Sequence, residues 1–201
     1  MFPLRNLLFF LIIVLPSFSW NTNNSQVTKW VIMKGGSLRV DGSTNINKFN
    51  CEITNYSNPD TINISKNPDR SALSIAGDVK LNVQNFDCHN PVMTADLRKT
   101  LKAKQYPNLI IRFLSLSKYP NLAIKQDYVK GLVSIELAGV TRRFEVDYKF
   151  LSGKEDVLDL IGTRKINFTD FNITPPRKIG GMIQTDNELS VMFALRVKVI
   201  D

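Results

Sequence analysis

Alternation of apolar and polar residues runs along most of the chain and predicts β-strands. In the longest regular stretch, residues 73–83, every second residue is apolar or glycine and the residues between them are polar or small. Residues 189–199 repeat this pattern near the end of the chain. Such two-residue periodicity indicates strands with one dry face and one wet face. Shorter stretches of the same character cover residues 28–34, 38–42, 49–54, 109–113, 129–137, 144–150 and 166–168.

One segment between the strands has helical periodicity instead. Asn90 is a good N-cap, and Pro91 suits the first helical position. An apolar stripe with four-residue spacing follows, formed by Met93, Leu97 and Leu101. Pro107 then prevents the helix from continuing. The pattern therefore predicts one short helix that packs on or over the strands.

About eight strands of alternating character with a single helix favour an all-β fold closed into an antiparallel barrel, because closure removes the exposed sheet edges. The interior of a barrel of this size is either filled by side chains or holds one slender ligand. Three glycines interrupt the inward apolar faces, namely Gly77, Gly131 and Gly162. They either leave space for a chain-like ligand or relieve strand bending at barrel corners.

The first 19 residues have the pattern of a cleavable signal peptide. Arg5 is followed by an apolar run over residues 7–15, and Ser17 and Ser19 place small residues before a cut at Trp20. The alternative is an uncleaved anchor, but the run is shorter than the ~20 residues of a membrane span. We expect that residues 1–19 are the signal peptide, that residues 20–27 are a flexible lead-in and that residues 28–201 form the barrel domain. The mature protein is then periplasmic or secreted, with no stable membrane span.

Charge and reactive residues narrow the function further. The formal net charge is +8, but the cations are scattered and their longest cluster, at residues 98–104, has no interleaved aromatic residues, so we expect no nucleic-acid partner. Export favours a disulfide between Cys51 and Cys88 over two free thiols. With His89 as the only histidine, we expect no metal site, no cofactor, no catalytic residues and no enzymatic activity.

Four groups of residues form a set of motifs in a fixed order and spacing. They are Asp41-Gly42-Ser43-Thr44-Asn45 with Phe49 and Cys51; Leu101-Lys102-Ala103 with Tyr106-Pro107 and Ile111-Arg112-Phe113; Gly131-Leu132-Val133-Ser134-Ile135 leading to Ala138-Gly139-Val140-Thr141-Arg142; and Asp170-Phe171-Asn172-Ile173 with Gly180-Gly181. Together these motifs resemble the YceI-like family of exported, lipocalin-like, polyisoprenoid-binding barrels. The resemblance spans residues 28–199, nearly the whole expected mature chain. Two positions depart from the family pattern: Asn172 replaces a frequent glycine, and Arg143 replaces a usual proline.

The resemblance implies an eight-stranded antiparallel up-and-down barrel in which the helix closes one side or end. It also implies a carrier or sequestering protein for a long apolar lipid, isoprenoid-like, in the barrel interior. The alternative is a structural or interaction module with a filled core and no ligand. From the alternation, the inward residues expected to contact the lipid are Leu81, Val83, Ile111, Phe113, Val133, Ile135, Phe144, Val146, Val191, Phe193 and Leu195. Oligomeric state is not predicted.

Overall fold

The computed structural model describes residues 27–66 and 72–200. The predicted signal peptide lies outside the described residues, and so does the predicted lead-in apart from Val27, which opens the first strand. The strands are β1 (Val27–Ile32), β2 (Gly36–Ser43), β3 (Lys48–Tyr56), β4 (Thr61–Ser65), β5 (Leu73–Asn82), β6 (Asn108–Leu116), β7 (Gln126–Leu137), β8 (Val140–Ser152), β9 (Val157–Asn167), β10 (Arg177–Lys178), β11 (Ile183–Gln184) and β12 (Glu188–Ile200). Helix α1 is Pro91–Thr100, and short 3-10 turns occupy Val83–Asn85, Phe168–Phe171 and Ile179–Gly181.

The main sheet closes on itself as an antiparallel barrel with eight strand positions. The long strand β12 pairs with β2 through its first half and with β1 through its second half, so β1 and β2 together fill one position. In the same way β3 pairs with β2 and β4 pairs with β1, which makes a second split position. The predicted eight-stranded up-and-down barrel is therefore confirmed.

Four connections meet at one end of this barrel, which we call the helix end. It consists of residues 44–48, 83–107, 138–143 and 168–188. Here β3 pairs only with β2 among the described strands, so the wall between β3 and β5 is incomplete. Asp87 fills this position, because its backbone exchanges two hydrogen bonds with that of Glu52, at 2.8 and 2.9 Å. The helix therefore lies over an interrupted stretch of the wall.

Helix α1 begins where the sequence predicted but ends at Thr100, before the predicted stop at Pro107, because the chain turns at Leu101. The Asn90 side chain accepts a hydrogen bond from the Met93 N–H at 3.0 Å, which confirms the N-cap. Of the predicted stripe, Leu101 is buried and Leu97 packs partly buried against the core, but Met93 is exposed. Within residues 27–66 and 72–200, no helix is long and apolar enough to cross a membrane.

Several strand boundaries differ from the sequence pattern, and the strand β4 was not predicted. The pattern extended the fifth strand to Val83, but β5 ends at Asn82, whose side chain accepts a hydrogen bond from the Gln84 N–H and starts a 3-10 turn. Of the strand predicted over 166–168, residues 166 and 167 are the end of β9, which begins at Val157, whereas Phe168 opens a 3-10 turn. The alternation is weak over the first part of β9, because Val157 and Ile161 are apolar on the opposite face and Arg164 takes a position of the inward face.

The predicted disulfide between Cys51 and Cys88 is confirmed. It joins β3 to the residues just before α1, next to the backbone pairing of Glu52 with Asp87. The Thr94 hydroxyl, which is buried, accepts a hydrogen bond from the Cys88 N–H at 3.0 Å and so joins the helix to the bridge. The helix is therefore fixed to the barrel wall at its first turn.

Removing the bridge should destabilise the barrel. The bonded cysteines are 37 positions apart, and closing a loop of that length stabilises a fold by about 3–4 kcal/mol. We expect Cys51→Ala with Cys88→Ala to lower the free energy of unfolding in urea by about that amount. Wild-type protein in excess reductant is the control and should behave alike, whereas a loss below about 1 kcal/mol would contradict the estimate.

Candidate functional site

The structure places the predicted lipid-contacting residues on the inner side of the barrel. Phe144 and Val191 are half-buried against the core. The others are buried, namely Leu81, Val83, Ile111, Phe113, Val133, Ile135, Val146, Phe193 and Leu195. The inward orientation follows from the strand alternation for all of them except Val83, which lies in the 3-10 turn after β5. Their contact with a ligand stays a prediction.

Aromatic rings occupy the space beside two of the inward glycines. A Cβ atom at Gly162 would lie 2.3 Å from the ring of Phe193, and one at Gly131 would lie 2.5 Å from the ring of Tyr148. The two rings meet edge to face, with centroids 5.9 Å apart. The interpretation that these glycines leave open space is therefore wrong for Gly131 and Gly162. They accommodate the rings that fill the barrel.

Two small cavities lie among the interior side chains that the structure describes. One, of about 10 Å³, lies between β2, β5, β6 and β12, lined by residues that include Leu81, Phe113 and Leu195. A second, of about 50 Å³, lies beneath helix α1, and we call it the inner cavity. Ligand sites usually measure about 300–1,000 Å³, so neither cavity alone holds a long lipid chain.

The Tyr148 hydroxyl is the one polar group of the aromatic core that stands out. It is buried and has no hydrogen-bond partner among the described residues. Burial raises the pKa of this hydroxyl, because the charged form would lose its solvation. The hydroxyl is therefore neutral and costs stability.

A much larger apolar groove opens at the helix end, and we call it the helix-end groove. Its volume is about 400 Å³, and most of its surface is apolar. It lies between α1, the β2–β3 turn and the β10–β11 hairpin. Its lining residues are Thr44, Ile46, Asn47, Lys48, Phe49, Cys51, Asn90, Val92, Met93, Asp96, Leu97, Thr100, Phe168, Pro176, Lys178, Ile183 and Thr185.

Hydrogen bonds hold two walls of the groove together. The Asn45 side chain donates to the Met182 carbonyl at 2.9 Å and accepts from the Gln184 N–H at 3.0 Å. The Ser43 hydroxyl donates to the Asp186 carboxylate at 2.6 Å. The β2–β3 turn and the β10–β11 hairpin are therefore one connected surface, although they are far apart in the chain.

One ion pair joins the hairpin to the helix across the groove. The Lys178 ammonium lies 2.5 Å from the Asp96 carboxylate, and both side chains are partly exposed. An exposed ion pair of this kind contributes at most about 1 kcal/mol. The third wall is therefore closed by a weak contact that thermal motion can open.

The helix-end groove and the inner cavity share two lining residues, Leu97 and Phe168. Leu97 comes from α1, and Phe168 opens the 3-10 turn after β9, where Asp170 accepts a hydrogen bond from the Asn167 N–H at 2.7 Å. The turn ends at Asn172 with φ 54°, the left-handed geometry that asparagine tolerates. The two side chains thus form a partition between the groove and the barrel interior.

The polar residues of this region do not form a recognisable catalytic or metal-binding group. His89 is exposed, with its Nε2 3.4 Å from the Glu52 carboxylate. Among residues 27–66 and 72–200, no cluster of three or more His, Cys, Asp or Glu side chains is placed to hold a metal ion. The arrangement is suited to holding an apolar molecule.

Sequence reasoning found the barrel interior but missed the helix-end groove. Residues such as Ile46, Val92 and Ile183 lie in turns and short elements, where no periodicity marks them. Only the Pro175-Pro176 and Gly180-Gly181 pairs indicated a structured turn in this part of the chain.

The YceI-like domain family matches residues 18–196. A polyisoprenoid-binding domain from Saccharophagus degradans has a similar structure, with a TM-score of 0.60 at 9% identity over 85% of this chain and 98% of that chain. BcnA of Burkholderia cenocepacia has a TM-score of 0.58 at 12% identity, over 80% and 95% of the two chains.

A third similar structure is the YceI protein of Campylobacter jejuni, with a TM-score of 0.50 at 17% identity over 66% of this chain and 77% of that chain. At these identities, the likeness of all three structures shows the fold alone. No curated protein matches the chain.

The stability cost of the unpartnered Tyr148 hydroxyl can be measured by removing it. Tyr148→Phe removes a buried, unpaired polar group, so we expect the free energy of unfolding to rise by about 1–2 kcal/mol. Tyr56→Phe is the matched control and should destabilise, because the Tyr56 hydroxyl donates to Asp60. Urea denaturation of both variants measures the difference. A loss of stability in Tyr148→Phe would show that this hydroxyl has a partner after all.

Proposed function

The chain belongs to the YceI-like domain family, and we propose that it is an exported binding protein that carries or sequesters a long apolar lipid of isoprenoid type. The observation that carries this proposal is the helix-end groove, about 400 Å³ of mostly apolar space. That volume is within the usual range of small-molecule sites. The similarity to a polyisoprenoid-binding domain supports the same ligand class.

We expect the lipid chain to lie in the helix-end groove and to reach inward past Leu97 and Phe168. Rotation of these two side chains would join the groove to the inner cavity, which Ile111, Ile135 and Val191 also line. Each buried CH₂ group contributes about 0.8 kcal/mol, so even a partly enclosed tail binds usefully. Ile111, Ile135 and Val191 would then contact the inner end of the lipid chain, as the sequence predicted.

A polar or phosphorylated head group would remain at the rim. Lys48 lines the groove with an exposed side chain, and Lys178 lies on the opposite wall. A lysine ammonium binds a phosphate as a point charge with charge-assisted hydrogen bonds. The Asp96 carboxylate already neutralises Lys178 in the unbound protein, so Lys48 is the stronger candidate.

Export rests on two features of the chain. Residues 1–19 have the signal-peptide pattern, and a disulfide between Cys51 and Cys88 is stable in an oxidising compartment. We therefore propose a periplasmic or secreted location. We propose binding without chemical conversion. The groove can enclose an apolar chain, and no activated nucleophile lies among its described lining residues.

The small interior cavities favour a second candidate function. A barrel filled by its own side chains, with cavities of about 10 and 50 Å³, also suits a structural or interaction module that binds no lipid. In that case, the helix-end groove would stay empty or hold a segment of a protein partner. Analysis of co-purified lipid distinguishes the two candidates.

Mass spectrometry of an organic extract of the exported, folded protein tests the proposal. We expect an isoprenoid-type lipid in wild-type protein and a severalfold lower amount in Leu97→Trp, because the larger ring blocks the partition between groove and inner cavity. Ile124→Trp is the control, since Ile124 is exposed on the loop between β6 and β7 at the other end of the barrel. An extract from wild-type protein without lipid would favour the filled module.

A further inference from the structure

We propose that the helix end docks on an anionic lipid bilayer, with Ile46, Val92, Ile179 and Met182 entering the interface. The inference rests on the proposed function, because docking would place the opening of the helix-end groove against the membrane that supplies or receives the lipid. It goes further by naming the surface and the partner.

Exposed apolar side chains are concentrated around the groove. Ile46 is 60% exposed, Val92 71%, Ile179 68% and Met182 73%. Ile46 and Val92 line the groove itself, and the other two lie on the turn between Lys178 and Ile183, which also line it. Together they form an apolar rim that projects into solvent beside an apolar opening.

Hydrogen bonds of Asn45 hold the β2–β3 turn and the β10–β11 hairpin together in one surface. Asn45, next to Ile46, is bonded to Met182 and Gln184 of the hairpin through its side chain and makes a further bond, from its N–H to the Gln184 carbonyl at 3.1 Å. The Lys178–Asp96 ion pair links the hairpin only weakly to the helix that carries Val92. Because the turn and the hairpin are bonded to each other, Ile46, Ile179 and Met182 lose little conformational freedom when they enter a membrane interface.

Ile179 is difficult to explain as a structural residue. Its φ is 50°, in the left-handed region that β-branched residues rarely adopt. Its side chain is exposed and adds nothing to the core. A strained backbone that displays a large apolar side chain to solvent points to a role outside the fold.

Charge identifies an anionic bilayer as the partner. The segments that form the helix end carry nine Lys and Arg residues against five Asp and Glu residues. Lys48, Arg177 and Lys178 lie on or next to the groove walls. Apolar insertion combined with surrounding cations is the pattern by which proteins bind anionic lipid interfaces. The same charge would repel a second copy of this face.

Co-sedimentation with vesicles tests the proposal. We expect the wild-type protein to sediment with vesicles of equal parts phosphatidylglycerol and phosphatidylcholine. Binding should fall when phosphatidylcholine alone is used and when salt is raised. The double variant Ile179→Asn with Met182→Ser should bind about tenfold or more weakly, because two inserted side chains are lost. It leaves the groove lining unchanged.

Two controls separate membrane contact from folding. Ile179→Asn alone should raise the thermal midpoint or leave it unchanged, because asparagine tolerates the left-handed backbone, and yet weaken vesicle binding. The pair Ile124→Asn with Tyr128→Ser removes two exposed apolar residues outside the helix end and should bind vesicles like the wild type. Equal vesicle binding by the Ile124–Tyr128 double variant and the Ile179–Met182 double variant would overturn the proposal. So would wild-type protein that stays in the supernatant.

Uptake of a fluorescent prenyl alcohol in solution separates docking from lipid binding. Uptake without vesicle binding would overturn the docking surface and leave the lipid-binding function standing. Vesicle binding without uptake would overturn the lipid-binding function while supporting the surface. Binding to native membrane fragments but not to protein-free vesicles would identify a protein partner and overturn the bilayer proposal.

Discussion

Close packing of aromatic rings on glycine is the constraint on which the rest of the structure depends. Phe193 lies against Gly162, and Tyr148 lies against Gly131. A side chain at either glycine would collide with the ring, so only glycine leaves the ring enough space. Protein interiors tolerate little change in volume, and the cavities that remain here are small. Neither cavity holds a long lipid chain as the side chains are packed, whereas the helix-end groove is open.

Packing is incomplete at the helix end because the wall itself is interrupted there. The strand β3 pairs only with β2 among the described strands, and the Asp87 segment with its neighbouring disulfide takes the place of a continuing β5. This arrangement fixes the first turn of α1 to β3, while the contact of the helix with the β10–β11 hairpin depends on an exposed ion pair. A rigid attachment on one side and a weak one on the other suit a groove that must admit a flexible chain.

Most of the fold follows from the sequence, because strand alternation, helix capping and cysteine count are local or nearly local signals. These signals predict the long strands β5 and β12, the N-cap at Asn90 and the Cys51–Cys88 pair, and the structure contains all of them. The groove could not be predicted in the same way. Its walls are joined by contacts of Asn45 with Met182 and Gln184, which lie 137 and 139 positions away, and the strands of the hairpin have only two residues each. Such short elements carry no periodicity. The packing of rings against Gly131 and Gly162 also depends on which residues face each other across the barrel.

In the proposed complex, the lipid chain enters at the helix end and reaches no further than the inner cavity beneath α1. Photo-crosslinking of the purified protein with a prenyl alcohol that carries a benzophenone at its tail, followed by peptide mass spectrometry, measures this directly. Because the tail is expected at the inner end, we predict labelling of Leu97, Phe168 and the inner-cavity residues Ile111, Ile135 and Val191. Labelling confined to Val133, Val146 and Phe193, deep among the filled strands, would contradict it.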